Sequence, residues 1–87
     1  MIRKRYQLSG RVQGVGLRWR AAQAARLYDC TGWCRNEWDG SVTMEIQGEL
    51  ESINAVMRVL LHDRYIRIEG IETETIPLQE ERRFRTE

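Results

Sequence analysis

The stretch Gly10-Arg11-Val12-Gln13-Gly14-Val15-Gly16-Leu17-Arg18 combines residue types that can hold an anion. Glycines at 14 and 16 let the backbone turn tightly and present successive N–H groups. The residues from Leu17 onward have helical composition, so the unpaired first-turn N–H groups and the positive end of a helix dipole face the same spot. Arg18 can close over that spot with a two-pronged guanidinium contact. The segment is not a dinucleotide fingerprint, because Trp19 stands where G-x-G-x-x-G needs glycine, and it is not a P-loop, because the only lysine is Lys4. On the residues alone two readings stay open: a cradle for a phosphate-sized anion, or a plain strand-to-helix turn.

Other reactive residue types are scarce. His62 is the only histidine, so chemistry needing paired imidazoles is excluded, and its position late in a helical stretch suits a helix C-terminus or the surface. Cys30 and Cys34 fall on a strand-like stretch, where four residues span roughly 13 Å. A disulfide needs alpha carbons within about 7 Å. Both are read as small buried apolar residues of a reducing compartment, with no metal site. Trp19, Trp33 and Trp38 are read as core or rim packing, since the paired-aromatic strand motif of RNA-recognition domains is missing.

The 87 residues include 14 basic and 13 acidic side chains, and 13 of the basic ones are arginine. Residues 1–43 carry eight basic and three acidic groups, residues 44–87 six and ten, so the first half is the half suited to an anion. Apart from Arg18, the arginines are read as solvated charge. Apolar runs are three residues at most (Ala55–Met57, Val59–Leu61), and the N-terminus lacks an apolar signal core. A chain of this size holds one small core and encloses no large cofactor. The expectation is one cytoplasmic domain over residues 1–87, without membrane or nucleic-acid partners and without a cofactor.

Those residues need elements to position them. Tyr6, Leu8, Gly10 and Val12 alternate with polar neighbours, the period of a strand. Leu17–Tyr28, with Ala21, Ala22, Ala24, Ala25 and Leu27, predicts a helix. Thr31–Arg35 reads as a second strand, Asn36–Gly40 as a hairpin turn, and Val42, Met44 and Ile46 as a third strand stopped by Gly48. Leu50, Ile53, Val56, Met57, Leu60 and Leu61 recur at helical steps and predict a second helix from Glu49 to about Asp63. Ile66, Ile68 and Ile71–Ile76 suggest a fourth strand ending near Pro77, and Phe84 is a candidate for a short, frayed last one. The order βαββαβ predicts an α+β, ferredoxin-like sandwich: an antiparallel four-stranded sheet, with Phe84 offering a fifth strand, and two helices on one face.

Two segments at a fixed separation sharpen the functional reading. Gly10–Arg18 and Gly32-Trp33-Cys34-Arg35-Asn36-Glu37-Trp38-Asp39-Gly40-Ser41-Val42 resemble the two signature segments of the acylphosphatase family, which has this size and element order. The resemblance covers essentially the whole chain. It implies hydrolysis of the carboxyl–phosphate mixed anhydride to a carboxylate and inorganic phosphate. It further implies that the backbone amides of Gln13, Gly14, Val15, Gly16 and Leu17, with Arg18, bind the phosphoryl group, and that Asn36 orients the attacking water. The substrate is then a small acyl phosphate, and the protein is expected to be monomeric and to need no metal.

The chemistry suits so sparse a site. A leaving carboxylate has a pKa of about 4, so it departs as a stable anion without a general acid. Phosphoryl transfer asks for positioning and for stabilised charge on the equatorial oxygens, which amides and one guanidinium supply. Asn36 can accept from a water and aim it without acting as a base.

This chain departs from the family pattern at several positions. Leu17 replaces a usual phenylalanine before the arginine, Asp29 stands where a helix-ending glycine is common, and Cys34 replaces a usual valine. Leu17 is expected to loosen the loop's packing, and Glu37, if turned inward, to weaken anion binding. The alternatives are a catalytically inactive anion-binding or interaction domain of the same fold, and a regulatory ligand-binding domain that takes a metabolite at a sheet edge.

Overall fold

Alternation in the first residues builds the strand from which everything else is placed. In the computed structural model, which describes residues 1–87, β1 runs from Ile2 to Arg11 and turns Tyr6 and Leu8 into the core. The order continues α1 (Leu17–Leu27), β2 (Thr31–Asn36), β3 (Val42–Gly48), α2 (Leu50–Leu61), β4 (Arg67–Ile76) and β5 (Phe84–Thr86). The expected βαββαβ order is present, with helix ends within about two residues of expectation, the usual scatter at frayed ends.

The strands lie in the order β4-β1-β3-β2-β5. β4, β1, β3 and β2 pair antiparallel as expected, and the fifth strand offered by Phe84 is present. The sheet has five strands, and β5 runs parallel to β2, pairing Gly32 with Phe84 and Cys34 with Thr86. The reason lies in the connection: the chain leaves β4 at one edge of the sheet and reaches the other edge across the open face, arriving in the direction of β2. Nor does this short strand hang loose. Phe84 is fully buried, and the Glu87 N–H donates to the Cys34 carbonyl at 2.8 Å.

Both helices cover one face, and the core lies between them and the sheet. Ala21, Ala22, Ala24 and Ala25 let α1 approach closely, while α2 brings Ile53, Val56, Met57 and Leu60. Leu50 and Leu61, assigned to the same stripe by spacing, are about half exposed because they cap the two ends of α2 beyond the sheet. Cys30 and Cys34 are free and buried, and burial raises their thiol pKa values to about 11 and about 12, so they pack as apolar groups. Asp29 adopts φ 57° just after α1, the left-handed geometry that a short polar side chain tolerates where glycine is common. His62 caps α2, with Nδ1 2.8 Å from the Arg58 carbonyl.

On the open face, Arg3 overturns the expectation that arginines other than Arg18 lie in solvent. Its side chain is fully buried. Arg3 Nη2 donates to Glu45 Oε1 at 2.9 Å, Arg3 Nη1 to Glu81 Oε1 at 2.6 Å, and Arg5 Nη2 to Glu45 Oε2 at 2.8 Å. Burial opposes charge on Glu45, but hydrogen bonds from Arg5 and Arg3 outweigh it and hold the carboxyl below its ordinary range. The segment between β4 and β5 supplies Glu81 and crosses over β3, where Gln47 Nε2 donates to the Gln79 carbonyl at 2.8 Å and the Gln79 N–H donates to Gln47 Oε1 at 2.9 Å. A buried ionic cluster is costly to break, since removing one member strands the others without water.

Candidate active site

At the end of β1 the chain turns through residues 12–16 and enters α1. Gly14 and Gly16 have φ 71° and 82°, a left-handed geometry that side chains with a Cβ rarely adopt. Gly16 is the N-cap of α1, no side chain caps this helix, and its first turn contains no acidic residue. The N–H groups of Gly14, Val15 and Gly16 donate to no protein acceptor. Three successive unpartnered backbone donors thus adjoin the positive end of a helix, a combination able to hold an anion. Val15 packs against the core and Leu17 is buried in it. The expected loosening from leucine at 17 is not visible, since Leu17 is a full member of the core.

The loop is tied to the hairpin that follows β2. Gln13 Nε2 donates to the carbonyl oxygens of Glu37 at 2.7 Å and Ser41 at 2.9 Å. This side-chain clip joins the cradle to the strand that ends in Asn36, a role that residue type alone did not indicate for Gln13. Within the turn, Asp39 Oδ1 accepts from the Ser41 N–H at 3.0 Å and from Ser41 Oγ at 2.6 Å, an Asx-type closure. Hydrogen bonds from Ser41 accordingly hold the Asp39 carboxyl below its ordinary range.

Glu37 does not turn inward. Its carboxylate lies on the open face, accepting from Thr43 Oγ1 at 2.5 Å and from Arg35 Nη2 at 3.2 Å. The Thr43 hydroxyl and then Arg35 keep it ionised below the usual carboxylate range. Its charge is spent away from the cradle. Trp38, expected in the core or at its rim, is instead 96% exposed, because a hairpin tip offers its side chain nothing to pack on.

One open cleft of about 380 Å³ brings Gly14, Gly16, Leu17, Arg18 and Asn36 together, with Trp19, Arg26 and Thr86 along its sides. Asn36 is half-buried at the last position of β2, paired across to Val42, and its side-chain amide makes no hydrogen bond to the protein. Arg18 Nη1 donates to the Glu87 backbone oxygen at 2.7 Å, which orients the guanidinium beside the cleft. Gln13 and Val15 line a neighbouring groove instead, so of the loop residues only 14, 16 and 17 face this cleft. Arg26 and Thr86 were not singled out in the sequence. Arg26 is one more arginine on a polar helix face, and Thr86 arrives only through β5.

Fold and site together define a two-layer α+β protein with unpartnered backbone donors at its first strand–helix junction and, lining the same cleft, the Arg18 guanidinium and the unpartnered Asn36 amide. Comparisons with known proteins bear on the family and the fold. The family model described as "Acylphosphatase" matches residues 4–86. An acylphosphatase of Clostridium perfringens is 38% identical over 88 aligned positions, covering 99% of both chains. One of Rhizobium etli is 44% identical over 77, covering 86% of this chain and 81% of its own. The crystal structure of acylphosphatase from Bacillus subtilis superposes with a TM-score of 0.91 at 25% identity, covering 99% of this chain and 98% of that one. The chain belongs to the acylphosphatase family.

Proposed function

We propose that this chain hydrolyses small acyl phosphates at the cleft beside Arg18. The phosphoryl oxygens lie among the amides of Gly14, Gly16 and Leu17 and the Arg18 guanidinium, and Asn36 holds a water behind the phosphorus. The water oxygen forms a bond to phosphorus as the bond from phosphorus to the acyl oxygen breaks. The carboxylate leaves with that bond's electron pair, and the water protons pass to the phosphate product. Fixed N–H dipoles and one guanidinium meet the charge on the equatorial oxygens without reorganising. The observation that carries this reading is the convergence of Gly14, Gly16, Arg18 and Asn36 on one cleft, although 22 residues separate Gly14 from Asn36. We further infer that residues 1–87 act as one cytoplasmic, monomeric domain; the two buried, unpaired thiols support a reducing compartment.

The test is hydrolysis of acetyl phosphate by purified protein with a chelator present. The expected outcome is turnover well above spontaneous decay, unaffected by the chelator, with inorganic phosphate as a competitive inhibitor. Decay at the spontaneous rate, with phosphate still bound, would mark an idle anion-binding domain.

The Gln13 clip makes a separate prediction. Gln13→Ala frees the loop from the carbonyls of Glu37 and Ser41, so the cradle and Asn36 lose their common frame. Misplacement by 1 Å can cost about 100-fold in rate. A fall of about tenfold in kcat with an unchanged circular dichroism spectrum is expected, and unchanged kcat would show that the clip does not set the geometry.

A further inference from the structure

A second groove begins on the other side of the glycine loop. This cleft of about 760 Å³ is lined by Arg11, Gln13, Gly14, Val15 and the segment 63–67, which includes Arg64, Tyr65 and Arg67. It meets the first cleft at Gly14, which lines both. Three exposed arginines converge here, and none has a carboxylate partner or donates a side-chain hydrogen bond within the protein. Arg64 lies over the Tyr65 ring at 5.4 Å. The one carboxylate in the groove, Asp63, is occupied, with Oδ1 accepting from the Tyr65 N–H at 2.8 Å and Oδ2 3.5 Å from Arg20 Nε.

The backbone brings two of these arginines together against their mutual repulsion. Arg11 of β1 and Arg67 of β4 are direct cross-strand partners. Like charges at such positions destabilise a sheet. The register would not place them so without an irregularity: Ser9 pairs with Gly70 but Gly10 with Ile68, so Glu69 is the extra residue of a β-bulge. An uninterrupted register would put Arg11 opposite Ile68. The bulge depends on Gly10, whose φ is 117° and where an added Cβ would lie 2.4 Å from the Arg67 carbonyl oxygen. Bulges re-aim side chains, often next to active sites. Here the bulge sets two arginines opposite one another at the groove, and neither has a carboxylate within ion-pair distance.

We propose that Arg11 and Arg67, with Arg64, form a second anion subsite for a carboxylate or phosphate at the far end of the acyl group. The preferred substrates are then acyl phosphates whose acyl chain carries a second negative charge. This inference rests on acyl phosphate hydrolysis at the neighbouring cleft, and the experiment separates the two. The parent and the Arg11→Gln/Arg67→Gln double variant are compared on acetyl phosphate and on succinyl phosphate, whose acyl chain ends in a carboxylate. For the parent, KM on succinyl phosphate is expected roughly tenfold below that on acetyl phosphate, the size of one good hydrogen-bonded charge contact. In the double variant this advantage disappears, while kcat and KM on acetyl phosphate stay unchanged. Removing two opposed like charges should also leave the thermal midpoint equal or higher, which a structural role for the pair would not allow.

The same preference is read without turnover by titrating methylphosphonate against 5-phosphonopentanoate, which matches the succinyl chain length with a carbon–phosphorus bond. If neither acyl phosphate is hydrolysed but the carboxylated phosphonate binds tighter in an Arg11- and Arg67-dependent way, the catalytic reading fails and the subsite stands. Equal binding of the two phosphonates by the parent overturns the subsite. So does a double variant that loses only salt-sensitive binding of a fluorescent single-stranded oligonucleotide, since the face would then serve a polyanion.

Discussion

Asn36→Ala is expected to lose about 100-fold or more in kcat on acetyl phosphate while inorganic phosphate inhibits at an unchanged concentration. The physical basis is the division of labour within the cleft. In the proposed site phosphate is held by amides and a guanidinium, to none of which the Asn36 side chain hydrogen-bonds, so ground-state anion binding is expected to survive. The lost function is the aim of the water, and 100-fold corresponds to about 2.7 kcal/mol of barrier. The Asn36 amide makes no hydrogen bond to the protein, so its removal strands no buried partner and leaves the fold intact. Asn36→Asp sharpens the result. It keeps the shape but adds a negative charge beside the anion, so kcat should fall and phosphate inhibition weaken together. Steady-state kinetics of the parent and the two variants, with phosphate inhibition constants, check all of this. Equal kcat for Asn36→Ala and the parent would remove Asn36 from the site.

Arg18→Ala should lose both turnover and phosphate inhibition. A guanidinium that stabilises a transferring phosphoryl group contributes roughly 10³-fold or more in rate. The loop amides remain, yet they carry only partial charges, and Arg26, the other cationic side chain lining the cleft, lies about two turns further along α1. Arg18→Lys tests geometry against charge. A point charge restores part of the phosphate affinity, but it cannot make two parallel contacts, so kcat should stay far below the parent. Removing Arg18 also frees the Glu87 oxygen, an exposed contact whose loss should barely move the thermal midpoint. Phosphate inhibition of Arg18→Ala equal to that of the parent would show that the anion sits elsewhere.

Much of this was legible in the chain. Alternation through Tyr6 and Leu8, the alanines of α1 and the three- and four-residue steps through Ile53 and Leu60 are local signals, each written in neighbouring residues. The glycine turn was legible for the same reason, because Gly14, Gly16 and the helix that follows lie next to one another, although the residues alone left open whether it holds an anion. Asn36 came only with the second signature segment, since a lone asparagine at a strand end has no chemistry of its own. Other features had no local signal. Arg3 looks like any N-terminal arginine, and its burial depends on Glu81, 78 residues away. The Gln13 clip requires the hairpin carbonyls of Glu37 and Ser41, and the direction of β5 depends on the path taken by the segment after β4.

By itself, then, the sequence determined the element order, most of both helix faces and the glycine loop, because short-range periodicity and turn chemistry act between neighbours, while the family showed only through the resemblance of two separated segments. Tertiary structure alone decided that Arg18, Asn36 and the loop share one cleft, that Glu37 faces away from it, and that a single bulged residue sets Arg11 against Arg67. Those outcomes depend on strand register, and a shift of one residue in register changes which side chains meet across a sheet.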